Sequence, residues 1–165
     1  MSMVPSNTRI TPFLWFDGNA DEAVNFYISV FKNSRRLDKM DSAVDTSVPK
    51  GKTITISFEL DGQAFVALNG GPNFKFTEAV SFMIRCENQQ EIDYYWSKLT
   101  ADGGAESQCG WLKDKFGLSW QVVPAQIAEL VKSPKGMQAM MKMKKLDIAE
   151  LERANESSRT AAADA

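Results

Sequence analysis

PFLWFDGNADEAVNFYISV, residues Pro12–Val30, reads as a strand, a tight turn and a helix, and the chain makes that statement twice. Shifted by 69 positions (81 − 12 = 69), SFMIRCENQQEIDYYWSKL, Ser81–Leu99, falls on it without a gap. Asn19 meets Asn88, Glu22 meets Glu91, Phe26 and Tyr27 meet Tyr95 and Trp96, and Val30 meets Leu99. The pattern has a mechanical basis. Asparagine ahead of a helix accepts a backbone N–H two or three residues on. Glutamate at the third helical position reaches back to the cap and faces the positive end of the dipole. Beyond the cap, Ala23, Phe26, Tyr27, Val30 and Phe31 form one apolar stripe, and Ile92, Tyr95, Trp96 and Leu99 the other. Cap and stripe together predict a duplication.

Outward from the repeat, strand and turn signals alternate. Ile10–Phe16 is expected as the first strand and Ser34–Met40 as the second. Asp41–Gly51 (DSAVDTSVPKG) is polar, contains Pro49 and Gly51, and is expected to be a mobile flap. TITISFEL, Thr53–Leu60, is a β-branched alternating strand, and the Asp61-Gly62 hairpin signal returns the chain along Gln63–Leu68. The second half reads as strand Val80–Cys86, helix Gln89–Ala101, a strand near Glu106–Lys113, a turn at Asp114–Gly117, and a strand at Leu118–Val123. Each half thus reads as strand–helix–strand–strand, with a further strand expected in each. A short helix, Ala125–Lys132, precedes a longer one from about Gly136 to Ala154. That helix carries Met137, Met140, Met141, Met143, Leu146, Ile148 and Leu151 on its apolar side, which suits a sheet exterior or a partner chain. The expected organisation is a first module at 10–72, a second at 79–124, a helical extension at 125–156 and a disordered tail at 157–165. Met1–Arg9 is polar and expected to fray.

The totals exclude several classes. At 165 residues the chain is one domain, or two half-domains sharing a core. A net charge of −2 without a compensating basic cluster gives no reason to expect nucleic acid. No apolar run approaches the roughly 18 residues of a membrane span, and no signal-like apolar core opens the chain. Cys86 and Cys109 are too few for a disulfide framework. The expected location is cytoplasmic. There are no histidines. That removes Ser–His and Cys–His nucleophiles in cis and most zinc, nickel or iron sites. A carboxylate-only magnesium or calcium site survives the cut, but no DxD or EF-hand spacing offers one.

ITPFLWFDGNADEAVNFY, FELDGQAFVALNGGPNFKF, CGWLKDKFGLSWQVVP and MKMKKLDIAELERA, on a duplicated βαβββ frame, resemble the PhnB-like branch of the vicinal oxygen chelate superfamily. That superfamily includes glyoxalase I, bleomycin-resistance proteins and extradiol dioxygenases, and the branch is often labelled 3-demethylubiquinone-9 3-methyltransferase. The resemblance runs from about Ile10 to Ala154. It implies an α+β fold in which two βαβββ modules form a curved mixed sheet around a cleft, usually in a homodimer. It also implies divalent-metal positions on the first and fourth strands of each module, here Pro12, Ala67, Ser81 and Gln121. Proline and alanine offer no side-chain donor, and neutral serine and glutamine are poor divalent ligands alone. No metal and no cofactor is therefore expected.

Strand alternation then names the cleft lining that the resemblance implies. Leu14 and Phe16 go with Pro12, Phe65 and Asn69 with Ala67, Met83 and Arg85 with Ser81, and Ser119 with Gln121. The candidate ligand-binding set is Phe16, Phe65, Asn69, Ser81, Met83, Arg85 and Gln121. A mostly apolar cup with a few polar groups suits a small molecule, and equally a sheet face covered by a partner. Trp15, Trp111 and Trp120 fall on the opposite, helix-facing parity if Asp114–Gly117 is a simple four-residue turn; a bulge would turn Trp111 into the cleft. Asp114 is expected to bond backbone N–H groups ahead of Gly117. A Rossmann-type methyltransferase needs a parallel sheet with a glycine-rich turn after its first strand; Gly70-Gly71 and Gly103-Gly104 are not so placed. Three readings stay open. They are a metal-free, dimeric small-molecule binder, an enzyme on a small oxygenated or quinone-like compound, and an interaction protein with a self-filled cleft.

Overall fold

The computed structural model describes residues 9–163. The expected frayed start lies, except for Arg9, outside them, as do residues 164–165 of the expected tail. The chain divides into two compact units, Met1–Lys75 and Phe76–Ala165.

The first unit runs β1 (Phe13–Phe16), α1 (Ala20–Val30), β2 (Arg35–Asp41), β3 (Thr53–Leu60) and β4 (Gln63–Asn69). Its four-stranded sheet has the order β1-β4-β3-β2, with β1 parallel to β4 and the other pairs antiparallel. Asp61 and Gly62 both adopt positive φ, as a two-residue hairpin turn with matching twist requires. The face under α1 is aromatic. Tyr27 is fully buried and stacks on Phe58 at 6.4 Å, and Phe58 stacks on Phe65 at 5.5 Å. The Asp41–Gly51 loop is tied down rather than loose. Ser42 N–H donates to Lys52 O (2.8 Å), Gly51 N–H to Ser42 O (2.8 Å) and Lys50 N–H to Asp45 Oδ1 (2.9 Å), while Val48 is buried.

The second unit runs β5 (Ser81–Cys86), α2 (Gln89–Thr100), a 3-10 turn at Ala101–Gly103, β6 (Ala105–Glu106), β7 (Trp111–Lys113) and β8 (Ser119–Pro124). The order is β5-β8-β7-β6, again with one parallel pair. The strand expected at Glu106–Lys113 is broken in two, because Cys109 and Gly110 take positive φ. Their N–H groups turn away to the carbonyls of Met143 and Lys144, both at 2.8 Å.

Those two bonds also account for the C-terminal region. The single helix expected from Gly136 to Ala154 is α4 (Pro134–Met141) and α5 (Ile148–Ala163), preceded by α3 (Ile127–Leu130). Between α4 and α5 the chain leaves the helix so that its carbonyls meet β7's lead-in. Gln89 clamps the exit, donating to Leu146 O (3.0 Å) and accepting from Ile148 N–H (2.9 Å). Asp147 then caps α5 by accepting Glu150 N–H at 2.9 Å. Val123, Leu130, Met143, Leu146 and Leu151 form the core beneath. The helix continues through 157–163, where a disordered tail was expected; alanine, the strongest helix former, fills Ala161–Ala163. Among the described residues no helix is long and apolar enough to cross a membrane.

The duplication carries a one-residue difference. α1 starts four residues after β1 ends (20 − 16 = 4), and α2 three after β5 ends (89 − 86 = 3). The helices therefore correspond at offset 69, and the strands at offset 70, with buried Phe16 opposite buried Cys86. Gly18, at φ +80°, stands in the longer turn. The caps differ accordingly. Asn88 caps as expected, accepting Glu91 N–H at 3.0 Å while Glu91 accepts Glu87 N–H at 2.8 Å. Asn19 makes no side-chain cap bond, and Asn69 accepts Ala20 N–H instead at 3.0 Å.

Candidate functional site

Residues paired across a sheet share a face. In the first sheet Leu14 pairs with Ala67, Phe16 with Asn69, Ile56 with Ala67 and Phe58 with Phe65. This is the face beneath α1. Arg36, paired with Phe58, reaches Asp21 and Asn25 on α1 at 2.6 and 2.8 Å. Phe16, Phe65 and Asn69 thus lie in the core under the helix, where Asn69 also donates to Thr53 O at 3.0 Å. The expected parity is reversed in this sheet: Pro12 corresponds to Ser81 only at offset 69, whereas the strands correspond at offset 70, and Ala67, expected from register within its own strand, faces α1. Trp15 is on the other face, paired with Leu68. Its indole packs on Gly70, where a Cβ would sit 2.3 Å away, donates to Gly71 O at 2.8 Å, and meets the edge of Phe74 at 4.8 Å.

The second sheet keeps the expected parity. Phe82, Ile84 and Cys86 share a face with Trp120, Val122 and Pro124. α2 covers that face with Ile92, Trp96 and Leu99, and Trp96 Nε1–H donates to Glu106 Oε1 at 2.7 Å. Burial, with the Glu91 carboxylate nearby, pushes the Cys86 thiol up to about 12.

The opposite, open face is built in three rows. Ser81, Ser119 and Lys113 form the first; Met83, Gln121 and Trp111 the second; Arg85 and Val123 the third. Gln121 Nε2–H donates to Ser81 Oγ across 2.9 Å. Ser119 is 1% exposed and, among the described residues, its hydroxyl has no hydrogen-bond partner. Met83 is 48% exposed and Arg85 is exposed. Val123 is buried in the C-terminal core, which closes that end of the face. Lys113 pairs with Glu78, whose carboxyl it holds below its ordinary range.

Of the candidate set, the structure gathers Ser81, Met83, Arg85 and Gln121, and adds Trp111, Lys113 and Ser119. Trp111 is there because the loop has five residues, not four: Lys113 pairs with Ser119 and Trp111 with Gln121. Asp114 builds that loop, accepting Phe116 N–H (2.9 Å) and Leu118 N–H (3.1 Å) on Oδ1 and Trp120 Nε1–H (2.9 Å) on Oδ2. The extra residue, Leu118, changes the parity of everything before the turn.

The two βαβββ units define a protein of the vicinal oxygen chelate superfamily. Residues 8–123 match the family model described as 3-demethylubiquinone-9 3-methyltransferase, and the chain belongs to that PhnB-like family. It is similar to the PhnB protein of Bacillus cereus, with 36% identity and a TM-score of 0.63 over 70% of this chain and 99% of that one. A Pseudomonas aeruginosa protein shares 20% identity at a TM-score of 0.58, over 72% of this chain and 98% of that one. The fosfomycin resistance protein FosX of Listeria monocytogenes, solved with Mn(II) and sulfate, shares the fold at 15% identity and a TM-score of 0.51, over 78% of this chain and 98% of that one. No curated protein sequence matches the chain.

The residues present do not fit the superfamily's divalent metal. Ala67 is buried under α1, and Pro12 O accepts Val66 N–H at 3.0 Å. Ser81 and Gln121 hydrogen-bond each other as neutral groups. Among the described residues no three His, Cys, Asp or Glu side chains gather to hold an ion.

Proposed function

We propose that this protein is a small-molecule-binding member of the superfamily, holding a partly apolar ligand on the open face of its second sheet without a metal ion. One observation carries the reading: the Ser81–Gln121 hydrogen bond lies on a face where Met83 and Trp111 stand among a few polar groups, beside the Ser119 hydroxyl, which has no partner among the described residues. Buried polar groups normally find a partner, and small-molecule sites combine apolar walls with a few such convergent groups. The name of the family speaks of methyl transfer to a quinone. The connections after β1 and β5 contain one glycine and none, and both sheets are mixed, so the glycine-rich turn of a parallel dinucleotide-type sheet is not built here. Quinone-like compounds nonetheless belong among the ligands to test. A homodimer and a cytoplasmic location complete the proposal. The exposed Met137 and Met141, one turn apart on α4, supply an apolar face for a second copy.

A thermal-shift screen of quinones, aromatic acids and S-adenosylmethionine, run in chelator, tests the reading. A true ligand at a hundredfold excess over its Kd stabilises by ~2.7 kcal/mol. Ser81→Ala and Gln121→Ala fold like the parent and bind that ligand more weakly. Unchanged affinity in both variants places the site elsewhere.

A further inference from the structure

We infer that the ligand of this face is a flat organic anion, an aromatic or conjugated carboxylate or phenolate. The inference rests on the binding reading above and adds the charge. Strands β5, β7 and β8 contain two cations, Arg85 and Lys113, and no aspartate or glutamate. Register puts both cations on the open face. Lys113 is already paired with Glu78. Arg85 is exposed, and among the described residues its guanidinium has neither an ion pair nor a hydrogen bond to a side chain.

The surroundings of Arg85 set the rest of the ligand. Met83 precedes it by one strand repeat, roughly 7 Å, on the same face. Trp111 lies beyond Gln121 in the row of Met83. A carboxylate held in the guanidinium fork therefore leaves its flat body over a thioether and an indole, both good partners for a ring. The hydroxyl of Ser81, half-buried, stands in the row beyond Met83 for a second oxygen. A cationic ligand would find Arg85 against it, and the carboxylate at the opposite end of the face, Glu78, is already paired with Lys113.

The test uses 1-naphthoate and its neutral counterpart 1-naphthamide, titrated into the full chain in chelator and followed by tryptophan fluorescence and calorimetry. The wild type binds naphthoate about tenfold more tightly than the amide, the weight of one charge-assisted contact. Arg85→Gln, an exposed change whose melting temperature stays with the wild type, brings the two compounds level. Added salt weakens only the acid, and Trp111→Leu weakens both alike. If both compounds bind equally to the wild type and Gln121→Ala weakens both, the face is a ligand site and the charge inference is overturned alone. If neither binds, and Arg85→Gln instead weakens a dimer seen by sedimentation, the face is a protein interface and both readings fall.

Discussion

Replacing Asp114 by alanine should cost this protein more stability than any other single polar change on the second sheet. The side chain is 2% exposed and accepts from two backbone N–H groups and the Trp120 indole. Its bonds with Leu118 N–H and Trp120 Nε1–H are buried, whereas Phe116 N–H is partly buried and can recover water. Each buried donor left without a partner costs about 1–3 kcal/mol, so the two give a loss on the order of 4 kcal/mol. That is a large fraction of a typical domain's 5–15 kcal/mol, roughly. Asp114→Asn keeps an oxygen for the backbone donors but sets an amide N–H₂ against the indole N–H, for a loss of about 2 kcal/mol. Urea unfolding, followed by far-UV dichroism and tryptophan fluorescence, reads both. Because the carboxylate shapes the five-residue loop, the alanine variant should also lose the near-ultraviolet signal of ordered tryptophans and weaken ligand binding through Trp111. If both variants unfold within ~0.5 kcal/mol of the parent, as an ordinary surface change would, the account of this turn is refuted.

The two caps should respond unequally. Asn88→Ala should cost about 1 kcal/mol, Asn69→Ala about 1–3 kcal/mol through the orphaned Ala20 N–H and Thr53 carbonyl, and Asn19→Ala under ~0.5 kcal/mol; equal costs at 19 and 88 would restore a gapless repeat. Leu146→Ala, at a fully buried position, should lose about 2–5 kcal/mol and expose the α4–α5 region to protease ahead of β5–β8. Cys86 should matter only in alkali. An ordinary thiol in the unfolded chain ionises near 9 while the folded one is held to about 12, so the unfolded state binds fewer protons there and stability falls as pH rises between those values. The slope is at most about 1.4 kcal/mol per pH unit. Cys86→Ala should lack that component, a difference measurable by urea unfolding at two alkaline pH values, and wild-type Cys86 should resist thiol reagents until the chain unfolds.

Much of the architecture was legible in local patterning, and what was lost depended on single residues. The apolar stripes of α1 and α2 correspond because helix burial repeats with the turn, and Tyr27 and Trp96 are buried at equivalent places. Strand faces are less forgiving: parity has a period of two, so one residue reverses it. Gly18 supplied that residue in the first unit and took Phe16 from the expected lining to the core; Phe65 and Asn69 lie there because β4, beside β1, turns Ala67 toward α1. Leu118 supplied it in the second and brought Trp111 to Gln121. Neither is visible as a break in hydrophobic pattern. The division of the last helix depended on long-range bonds, from Cys109 and Gly110 to Met143 and Lys144 and from Gln89 to Leu146 and Ile148. No local propensity announces those. The shared strand face of Ser81, Met83, Arg85 and Gln121 was legible because β5 and β8 are short, regular and in register.

The most direct measurement is an amide chemical-shift map of the chelator-treated protein, titrated with the tightest compound from the screen. The account predicts saturable shifts concentrated at Ser81, Met83, Arg85, Trp111, Ser119 and Gln121. Shifts gathered instead around Phe16, Phe65 and Asn69 beneath α1, or appearing only once a divalent metal is restored, would contradict it.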